Sequence, residues 1–525
     1  MNYPTGWKFA AIIIAVYLAG FLVALDRTII ATAIPRITDH FHNLDDVGWY
    51  GSAYLLTFCS FQLLYGRIYT FYPPKLVFIV AIVIFEVGSA VCGAAPNSTA
   101  VIVGRALAGL GASGVFGGNI IIMFHTVPLQ KRPIYTGLVG AVFGIASVVG
   151  PLLGGALTDN VSWRWCFYIN LPIGGAAIVV IILILHLPPP KNQGASFREQ
   201  INKMDPVGTL FFLPAIICLL LALQWGGSTY AWSNGRIIAL LVVFGVLILA
   251  FVAVQVWKKD TATVPPRIIM QRSIAAGFFF SFCTGAAQMV LIYFLPIWFQ
   301  AIKNVSAVKS GIMNLPLVIG MTIASLSSGF IITRIGYYTP FMIASTVLMS
   351  IGAALITTFQ VDTRHPKWIG YQALWGIGCG MGMQQPGLAA QTVLSRMDFP
   401  TGASLMFFAQ SLGGSVFISV GENLFASRLV KGVVKDVPGL DPGTVVNTGA
   451  TDLQATVPSQ DLDSLLHVYN HALTDAFKVA LVATCVSVIG SLAMEWKNVK
   501  KVAKMQAQGQ GQGPLGQGPP GQKPN

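Results

Sequence analysis

The chain is a succession of long apolar segments, and this feature constrains its fold more than any other. Apolar runs of about 20 residues recur along the chain, and a helix of that length crosses the hydrocarbon core of a bilayer. Of the 525 residues, 54% are hydrophobic and only 10% are charged, whereas soluble globular chains carry roughly 25% charged residues. A fold in water could not bury this much apolar surface. The sequence therefore predicts an all-α integral membrane protein.

About fourteen transmembrane helices are predicted. They are placed near residues 8–33, 47–70, 76–95, 99–123, 134–157, 165–187, 207–224, 236–256, 273–299, 308–333, 338–358, 368–393, 401–425 and 474–495. The strings GRIYTFYPPK (66–75) and GFIITRIG (329–336) close the second and tenth segments in a similar way. This repetition predicts two six-helix bundles, helices 1–6 and 9–14, with helices 7 and 8 inserted as linker helices.

The domain organisation follows from these segments. Residues 1–187 are expected to form the N-terminal bundle, 188–272 a linker with the two inserted helices, and 273–495 the C-terminal bundle. The C-terminal bundle includes a long outer loop at 426–473. Residues 496–525 end in a run of Gln, Gly and Pro that cannot build a core, so a disordered cytosolic tail is predicted.

Basic residues predict the orientation. The net charge is +13, but Lys and Arg are scattered between apolar runs, which favours loops anchored on the cytosolic side over a nucleic-acid surface. Most of these basic residues lie in loops on the same side of the membrane as the N-terminus. That side is therefore predicted to be cytosolic, and an even number of helices then places both termini in the cytosol. The seven cysteines form no CxxC pair and lie near no ligand-spaced histidines, so neither a metal site nor a disulfide framework is indicated. No cofactor is predicted.

Three charged residues lie inside apolar segments, where a charge is costly unless it faces the protein interior. They are Asp26 and Arg27 in the first predicted helix and Arg105 in the fourth. At 1.5 Å per residue, Asp26 and Arg105 lie roughly 10 Å below the outer surface and would be able to meet. Two roles stay open: a proton-carrying carboxylate tuned by Arg27 and Arg105, or a static ion pair joining two helices.

The fifth predicted helix is rich in glycine. Its glycines include Gly144, Gly150, Gly154 and Gly155, and Pro151 lies among them. Small residues let helix backbones approach closely, and a proline inside a helix bends it. In any membrane protein this pattern indicates a packing face, but the compound string GPLLGG (150–155) in a fifth helix is more specific.

Six strings of the sequence together resemble those of a known transporter family. They are LDRTIIATAIPRIT (25–38), DDVGWYGSAYLLT (45–57), GRALAGLGASG (104–114), VPLQKRP (127–133), GPLLGG (150–155) and WRWCFYINLPIGG (163–175). The chain resembles the fourteen-span drug:proton antiporter branch of the major facilitator superfamily, and in particular fungal toxin and multidrug efflux carriers. The resemblance covers nearly the whole chain, from Tyr3 to about Trp496.

The resemblance implies roles for the residues above. It places the antiporter motif, a hinge, on Gly144, Gly150, Pro151, Gly154 and Gly155, the charged first-helix motif on Asp26, and the fourth-helix arginine on Arg105. The chain departs from the superfamily at Thr70, where the loop after the second helix usually carries an aspartate. The cytosolic latch of that loop is therefore expected to be built differently.

Further polar residues inside the segments are candidates for lining a substrate cavity. They are Gln62, Asn119, Gln288, Gln384, Gln385, Gln410 and Glu422. Glu86 is expected instead to form a hydrogen bond between helices. Aromatic residues of the ninth predicted helix are expected mainly to pack or to contact lipid, rather than to line a substrate path: Phe278, Phe279, Phe280, Phe282, Tyr293, Phe294 and Trp298. The sequons at Asn97, Asn160 and Asn304 lie close to predicted membrane surfaces, and we expect them to be unused.

The sequence contains no GxxxxGK[ST] loop, so a gradient rather than ATP is expected to supply the energy. We predict a monomeric, proton-coupled efflux transporter, not an enzyme, that exports a small amphiphilic toxin, secondary metabolite or drug by alternating access. Its partners would be that substrate, protons and the lipid of the cell membrane. The alternatives are an importer or a vacuolar or vesicle permease, for example for basic amino acids, and a transport-inactive membrane receptor or scaffold.

Overall fold

A computed structural model of the chain describes residues 4–42, 46–187, 204–227, 229–437 and 459–511, together with Gly439, Leu440, Gly443 and Val445. The described part is helical throughout, apart from two isolated β-bridges. The helices up to the linker are α1 (Gly6–Phe41), α2 (Val47–Phe71), α3 (Pro74–Gly93), α4 (Ser98–Thr126), α5 (Arg132–Asn160), α6 (Trp165–Tyr168) and α7 (Asn170–Ile184). The prediction of an all-α membrane protein is confirmed.

Among the described residues, the linker region and the second half of the chain contribute twelve further helices. They are α8 (Pro206–Trp225), α9 (Gly235–Lys258), α10 (Pro266–Ile269), α11 (Arg272–Lys303), α12 (Ala307–Met313), α13 (Leu315–Ile335), α14 (Thr339–Ile356), α15 (His365–Gly382), α16 (Gln385–Val393), α17 (Phe399–Asp436), α18 (Ser459–Ala493) and α19 (Val499–Gly511). A 3-10 turn, Lys259–Thr261, follows α9.

The prediction of fourteen membrane spans is confirmed only in part. Among the described residues, 12 helices are long and apolar enough to cross a membrane. The predicted second and twelfth spans fall outside this set, although they are helical as α2 (25 residues) and α15 (18 residues). Both helices bury polar side chains, such as Gln62 in α2 and Gln372 in α15. These residues lower the mean hydropathy of the two helices, so apolarity alone does not confirm fourteen spans.

Two segments predicted to be irregular are partly helical. The predicted outer loop at 426–473 begins as the last turns of α17 and ends as the first turns of α18. Leu429 and Val433 of α17 are buried in the same core as Leu465 and Val468 of α18, so an apolar stripe within this hydrophilic stretch extends both helices. The predicted disordered tail begins with α19, whose Val499 is buried. Residues 446–458 and 512–525 lie outside the described residues.

Consecutive long helices run in opposite directions, which places Gly6 and α19 at the same end of the bundle. We call this end the first face and the opposite end the second face. At the first face, Ser273 at the start of α11 donates a hydrogen bond to Glu495 after α18. At the second face, Lys303 at the end of α11 donates to the carbonyl of Val361 after α14.

The apolar core has two main parts. One is built from α1–α5 and α7, together with Phe399, Ala403 and Phe407 at the start of α17. The other is built from α11 and the helices that follow it, and also includes Leu129. Because α17 contributes residues to both parts, it connects the N-terminal core to the C-terminal core.

Candidate functional site

The charged residues of α1 and α4 meet inside the bundle. Arg105 Nη1 lies 2.5 Å from Asp26 Oδ2, and the two side chains are 2% and 0% exposed. The sequence predicted that their depths match, and the structure brings them into contact. A buried ion pair of this kind is stable only while both partners remain, because either charge alone would be left uncompensated in a low-dielectric interior.

Neighbouring polar groups hold both members of the pair. Arg105 Nε donates to the carbonyl oxygen of Tyr50 at 2.8 Å, and the guanidinium lies 4.5 Å from the ring centroid of Tyr54. Asn170 Nδ2 donates to Asp26 Oδ1 at 3.4 Å and to Ser89 Oγ at 3.1 Å. Asn170 was not predicted as a site residue. The signal present in the sequence is an amide within an otherwise apolar segment.

Arg27 lies apart from this pair. Its guanidinium lies 5.3 Å from the ring centroid of Phe58 on α2, and its side chain is partly exposed. Among the described residues, no carboxylate lies within ion-pairing distance of Arg27, whereas the carboxylate of the adjacent Asp26 contacts Arg105 and Asn170. The structure therefore does not place Arg27 in the ion pair.

The glycines of α5 face three different surroundings. A Cβ atom added at Gly150 or Gly154 would collide with Thr28 or Thr32 of α1, and one at Gly144 would collide with Thr322 of α13. Glycine at these positions therefore permits α5 to pack tightly between α1 and α13.

The last glycine of the motif is not confined in this way. At Gly155 the nearest atom to an added Cβ would be Val308 Cγ2, at 3.6 Å, which is ordinary van der Waals contact. Pro151 lies near Gly311, where an added Cβ would be 3.8 Å from the proline ring. The glycines that face α1 and α13 are therefore required for close packing, whereas Gly155 is not.

Interior polar residues come together in pairs. Ser113 Oγ donates to Gln62 Oε1 at 3.2 Å, and Gln410 Nε2 donates to Gln288 Oε1 at 3.3 Å. Asn119 of α4 lies against Gly20 of α1.

Two further glutamines were candidates for lining the cavity. Gln384 lies near Gly140 of α5, at the contact between α5 and α13. Gln385 Nε2 donates to the Met381 carbonyl at 2.9 Å, a bond within its own chain segment. The structure therefore brings Gln62 and Asn119 to the interior side of α1–α4, and Gln288 and Gln410 to the interior side of α11 and α17.

An aromatic cluster that the sequence did not indicate lies between these groups. Phe116 of α4 is its centre, with ring centroids 5.9 Å from Phe58, 5.3 Å from Phe143 and 4.5 Å from Phe407. Its members come from α2, α4, α5 and α17, so no single segment carries a recognisable pattern. The aromatic residues of α11 that the sequence singled out pack elsewhere: Phe280, Phe294 and Trp298 are buried in the second core.

A cleft opens between α2, α8 and α17, toward the second face. Its cavity volume is about 80 Å³, and the space continues into open solvent. Its lining residues are Trp49, Ser52, Leu55, Leu56, Leu220, Leu221, Leu223, Gln224, Ser415, Ile418, Ser419 and Glu422. The candidate Glu422 is the ionisable residue of this lining, and its carboxylate lies beside the Tyr293 hydroxyl. The inserted helix α8 thus forms one wall.

The prediction for Glu86 is not met. Glu86 of α3 is buried against Gly174 of α7, and neither carboxylate oxygen has a hydrogen-bond partner among the described residues. The expected hydrogen bond between helices is therefore absent among the described residues.

Charged residues join the connections at the first face, in an arrangement we call the first-face latch (Arg67, Asp260, Thr261, Arg267 and Asp398). Arg267 donates two hydrogen bonds to Asp398, at 2.8 and 2.6 Å, and one to Asp260 at 2.6 Å. Arg67 Nη2 of α2 donates to the Thr261 carbonyl at 3.1 Å. The connection between α9 and α11 therefore ties α2 to the start of α17.

Thr70, the position at which the sequence departs from the expected aspartate, lies outside the latch. Thr70 Oγ1 donates to the Gly66 carbonyl within α2 and takes no part in the latch. Burial raises the pKa of Asp398, but hydrogen bonds from Arg267 and Ser395 outweigh burial and lower it below 3.8. Since the carboxylate is ionised at neutral pH, the latch is charged on both sides.

The anchor of the inserted helices is a second buried carboxylate. Asp205 caps α8, lies 3.0 Å from Lys258 Nζ, and accepts hydrogen bonds from Gln255 and Thr263. Burial raises its pKa, but these bonds outweigh burial and lower it. Asp205 therefore fixes α8 against α9 and the connection that carries the latch.

Comparison with known proteins places these features in a family. The model of the Major Facilitator Superfamily matches residues 16–418. The chain is 60% identical over 500 residues to the MFS-type transporter VdtG of Byssochlamys spectabilis, covering 95% of this chain and 90% of that protein. It is 56% identical over 501 residues to the MFS-type efflux pump MFS1 of Arthroderma benhamiae, covering 95% and 94%.

A solved structure shares the fold. The proton:xylose symporter XylE matches with a TM-score of 0.58 and 11% identity, covering 94% of this chain and 99% of that one. Similarity at this level of identity shows the fold alone. Taken together with the match across residues 16–418, these findings show that the chain belongs to the Major Facilitator Superfamily.

Proposed function

We propose that this membrane protein is a proton-coupled efflux transporter that exports a small amphiphilic toxin, secondary metabolite or drug. The observation that carries the proposal is the buried pair of Asp26 and Arg105, a carboxylate and a cation in the middle of apolar helices. Ionisable groups within membrane spans commonly mark ion pathways. The name of a relative that is 56% identical, an efflux pump, supports the export direction.

In the proposed mechanism, Asp26 exchanges its contact with Arg105 for a proton. The ionised carboxylate holds α1 to α4 through Arg105 and to α7 through Asn170. Protonation removes the charge that Arg105 compensates and so changes the free energy of the two conformations of the carrier by different amounts. A ligand shifts a conformational equilibrium only through such a difference.

We further propose that residues 1–187 and 273–495 move against each other. In this conformation α2 and α17 pack closely at the first face, where an added Cβ at Gly66 would lie 2.6 Å from Ser404 Oγ. Phe124 and Phe399 stack there with centroids 4.3 Å apart. The cleft toward the second face is open between the same two helices. These contacts fit a state that is closed at the first face.

The remaining proposals concern the membrane. We propose fourteen spans, with α2 and α15 counted among them, both termini in the cytosol, and the first face as the cytosolic face. Basic residues concentrate at the connections of that face, as cytosolic loops do. The plasma membrane is the proposed location, with a vacuolar or vesicle membrane as the alternative.

The test is uptake of an amphiphilic dye into everted vesicles under an imposed pH gradient, acidic inside. Wild-type protein should accumulate dye, and Asp26→Asn should reduce accumulation to that of vesicles without the protein. Asp159→Asn is the matched control, since Asp159 also pairs with an arginine, Arg36, but at an exposed position. It should transport as wild type does.

The outcomes separate the proposal from its alternatives. Wild-type transport by Asp26→Asn at equal protein level would exclude Asp26 as the coupling carboxylate. Accumulation only under the opposite gradient would favour an importer or permease. No gradient-dependent movement of any compound in a panel that includes basic amino acids would favour a receptor or scaffold.

A further inference from the structure

Arg27 is a cation within the bundle that forms no ion pair among the described residues, since the carboxylate of the adjacent Asp26 contacts Arg105. Asp26, Arg27 and Arg105 together carry a formal charge of +1. Asp26 forms its ion pair with Arg105. A charge in a membrane span is costly and is retained where it faces a cavity and serves a ligand. Resting on the function proposed above, we propose that Arg27 binds the anionic group of the transported substrate, a carboxylate or phenolate on an aromatic body.

The direction of Arg27 is set by its position on α1. Gly20 lies seven residues, about two turns, before Arg27 and therefore on nearly the same side of the helix. Gly20 faces Asn119 of α4, so this side of α1 looks into the bundle. Arg27 is partly exposed as a residue, and its guanidinium lies over the ring of Phe58. Arg27 thus presents its N–H donors to the interior and not to lipid.

The surroundings of Arg27 define what an occupant must offer. Phe58 contacts Phe116, and Phe116 contacts Phe407, so a row of aromatic rings extends from Arg27 across the interior. Asn119 Oδ1 and Gln62 Nε2 are buried and have no hydrogen-bond partner within the described chain. An occupant with an acidic group, a flat apolar body and a second polar substituent would satisfy all three features, and a guanidinium suits carboxylates through paired N–H donors.

The proposal has an electrical consequence. With an anion bound, the charge of this site falls from +1 to zero, which lowers the cost of enclosing it in a low-dielectric interior. One anion exported in exchange for one proton moves two elementary charges across the membrane. A neutral substrate exchanged in the same way moves only one. Transport of the anion should therefore depend more steeply on membrane potential, since each charge responds separately to the field.

The first experiment uses the wild-type protein with two dyes that share a xanthene body, carboxyfluorescein as the anion and rhodamine 6G as the cation. Uptake of both is measured in everted vesicles, with and without a potassium–valinomycin potential that is positive inside. We expect carboxyfluorescein to have the lower KM and the larger response to potential. If neither dye nor any other compound moves, the proposed function fails. If rhodamine 6G moves and carboxyfluorescein does not, only the present inference fails.

The second experiment uses variants of Arg27. Arg27→Gln should raise the KM for carboxyfluorescein about ten- to hundredfold, the range expected when a hydrogen bond to a charged group is lost. The KM of this variant for rhodamine 6G should be no more than about twice the wild-type value, or below it. Arg27→Lys should recover part of the loss. Equal changes for both dyes, or no change for carboxyfluorescein, would overturn the inference. Rhodamine 6G transport by the same variant establishes that it is folded.

Discussion

The glycine motif of α5 allows a prediction in which two adjacent residues give opposite results. A Cβ added at Gly154 would lie 2.9 Å from Ile29 Cγ1 and 3.0 Å from the Ile29 carbonyl oxygen, and closer still to Thr32. Carbon atoms pack best at about 3.5–4.0 Å, so Gly154→Ala must displace the side chains of Thr32 and Ile29 and also crowds the Ile29 carbonyl of the α1 backbone. Added methyl groups in a packed interior cost about 1–3 kcal/mol.

At Gly155 the same substitution meets only Val308 Cγ2, at 3.6 Å. Alanine is favoured over glycine within a helix by about 1 kcal/mol, and this gain applies at both positions. Gly155→Ala should therefore be neutral to about 1 kcal/mol more stable, whereas Gly154→Ala should be unchanged to about 2 kcal/mol less stable. The difference between the two variants is about 1–3 kcal/mol, because the gain in helix propensity cancels.

The assay is thermal stability of the detergent-solubilised protein, followed by size-exclusion chromatography, together with gradient-driven uptake at equal protein level. Gly154→Ala should denature at lower temperature and transport more slowly than Gly155→Ala, which should match wild type or exceed its stability. If Gly154→Ala were as stable and as active as Gly155→Ala, α1 would not confine this side of α5.

Two further predictions concern the charged residues. Arg105→Ala leaves Asp26 buried without its partner and should destabilise the protein by about 3–5 kcal/mol; Arg105→Lys should lose less, and a double variant that also carries Asp26→Asn should be more stable than Arg105→Ala alone, as thermal denaturation would show. Arg267→Ala removes a bridge that is half exposed, worth no more than about 1 kcal/mol, so it should raise thiol labelling of a Ser404→Cys reporter up to about fivefold, with Arg334→Ala as the control. Because the pKa of Asp398 is lowered, the latch contributes fully above pH 4 and is lost only as pH falls through that lowered pKa; labelling of the reporter that changed strongly between pH 5 and 8 in wild type but not in Arg267→Ala would contradict this account.

Much of the architecture follows from local properties of the sequence. Long apolar runs predict helices because a backbone in lipid must satisfy its hydrogen bonds within the segment. The contact between Asp26 and Arg105 was also foreseeable as a matching of depths, since each residue adds a fixed rise along its helix. These inferences need only the distance of a residue from the end of its own helix.

Other features depend on which helices are neighbours and on how each is rotated. Gly154 and Gly155 are indistinguishable as sequence, yet one faces α1 and the other faces only Val308. The cluster around Phe116 draws single residues from four helices, and the first-face latch joins Arg267 to Asp398, which is 131 positions away in the chain.

The sequence by itself thus determined that the chain is a bundle of membrane helices, and the depth at which its buried charges lie. Only the tertiary structure decided that Arg105, and not Arg27, pairs with Asp26, and that α17 and α18 extend beyond the predicted spans. The physical reason is that helix formation and depth follow from hydrogen bonds and rise within one segment. Side-chain partners follow instead from the packing of several segments, and a change of 100° in the rotation of one helix would replace them all.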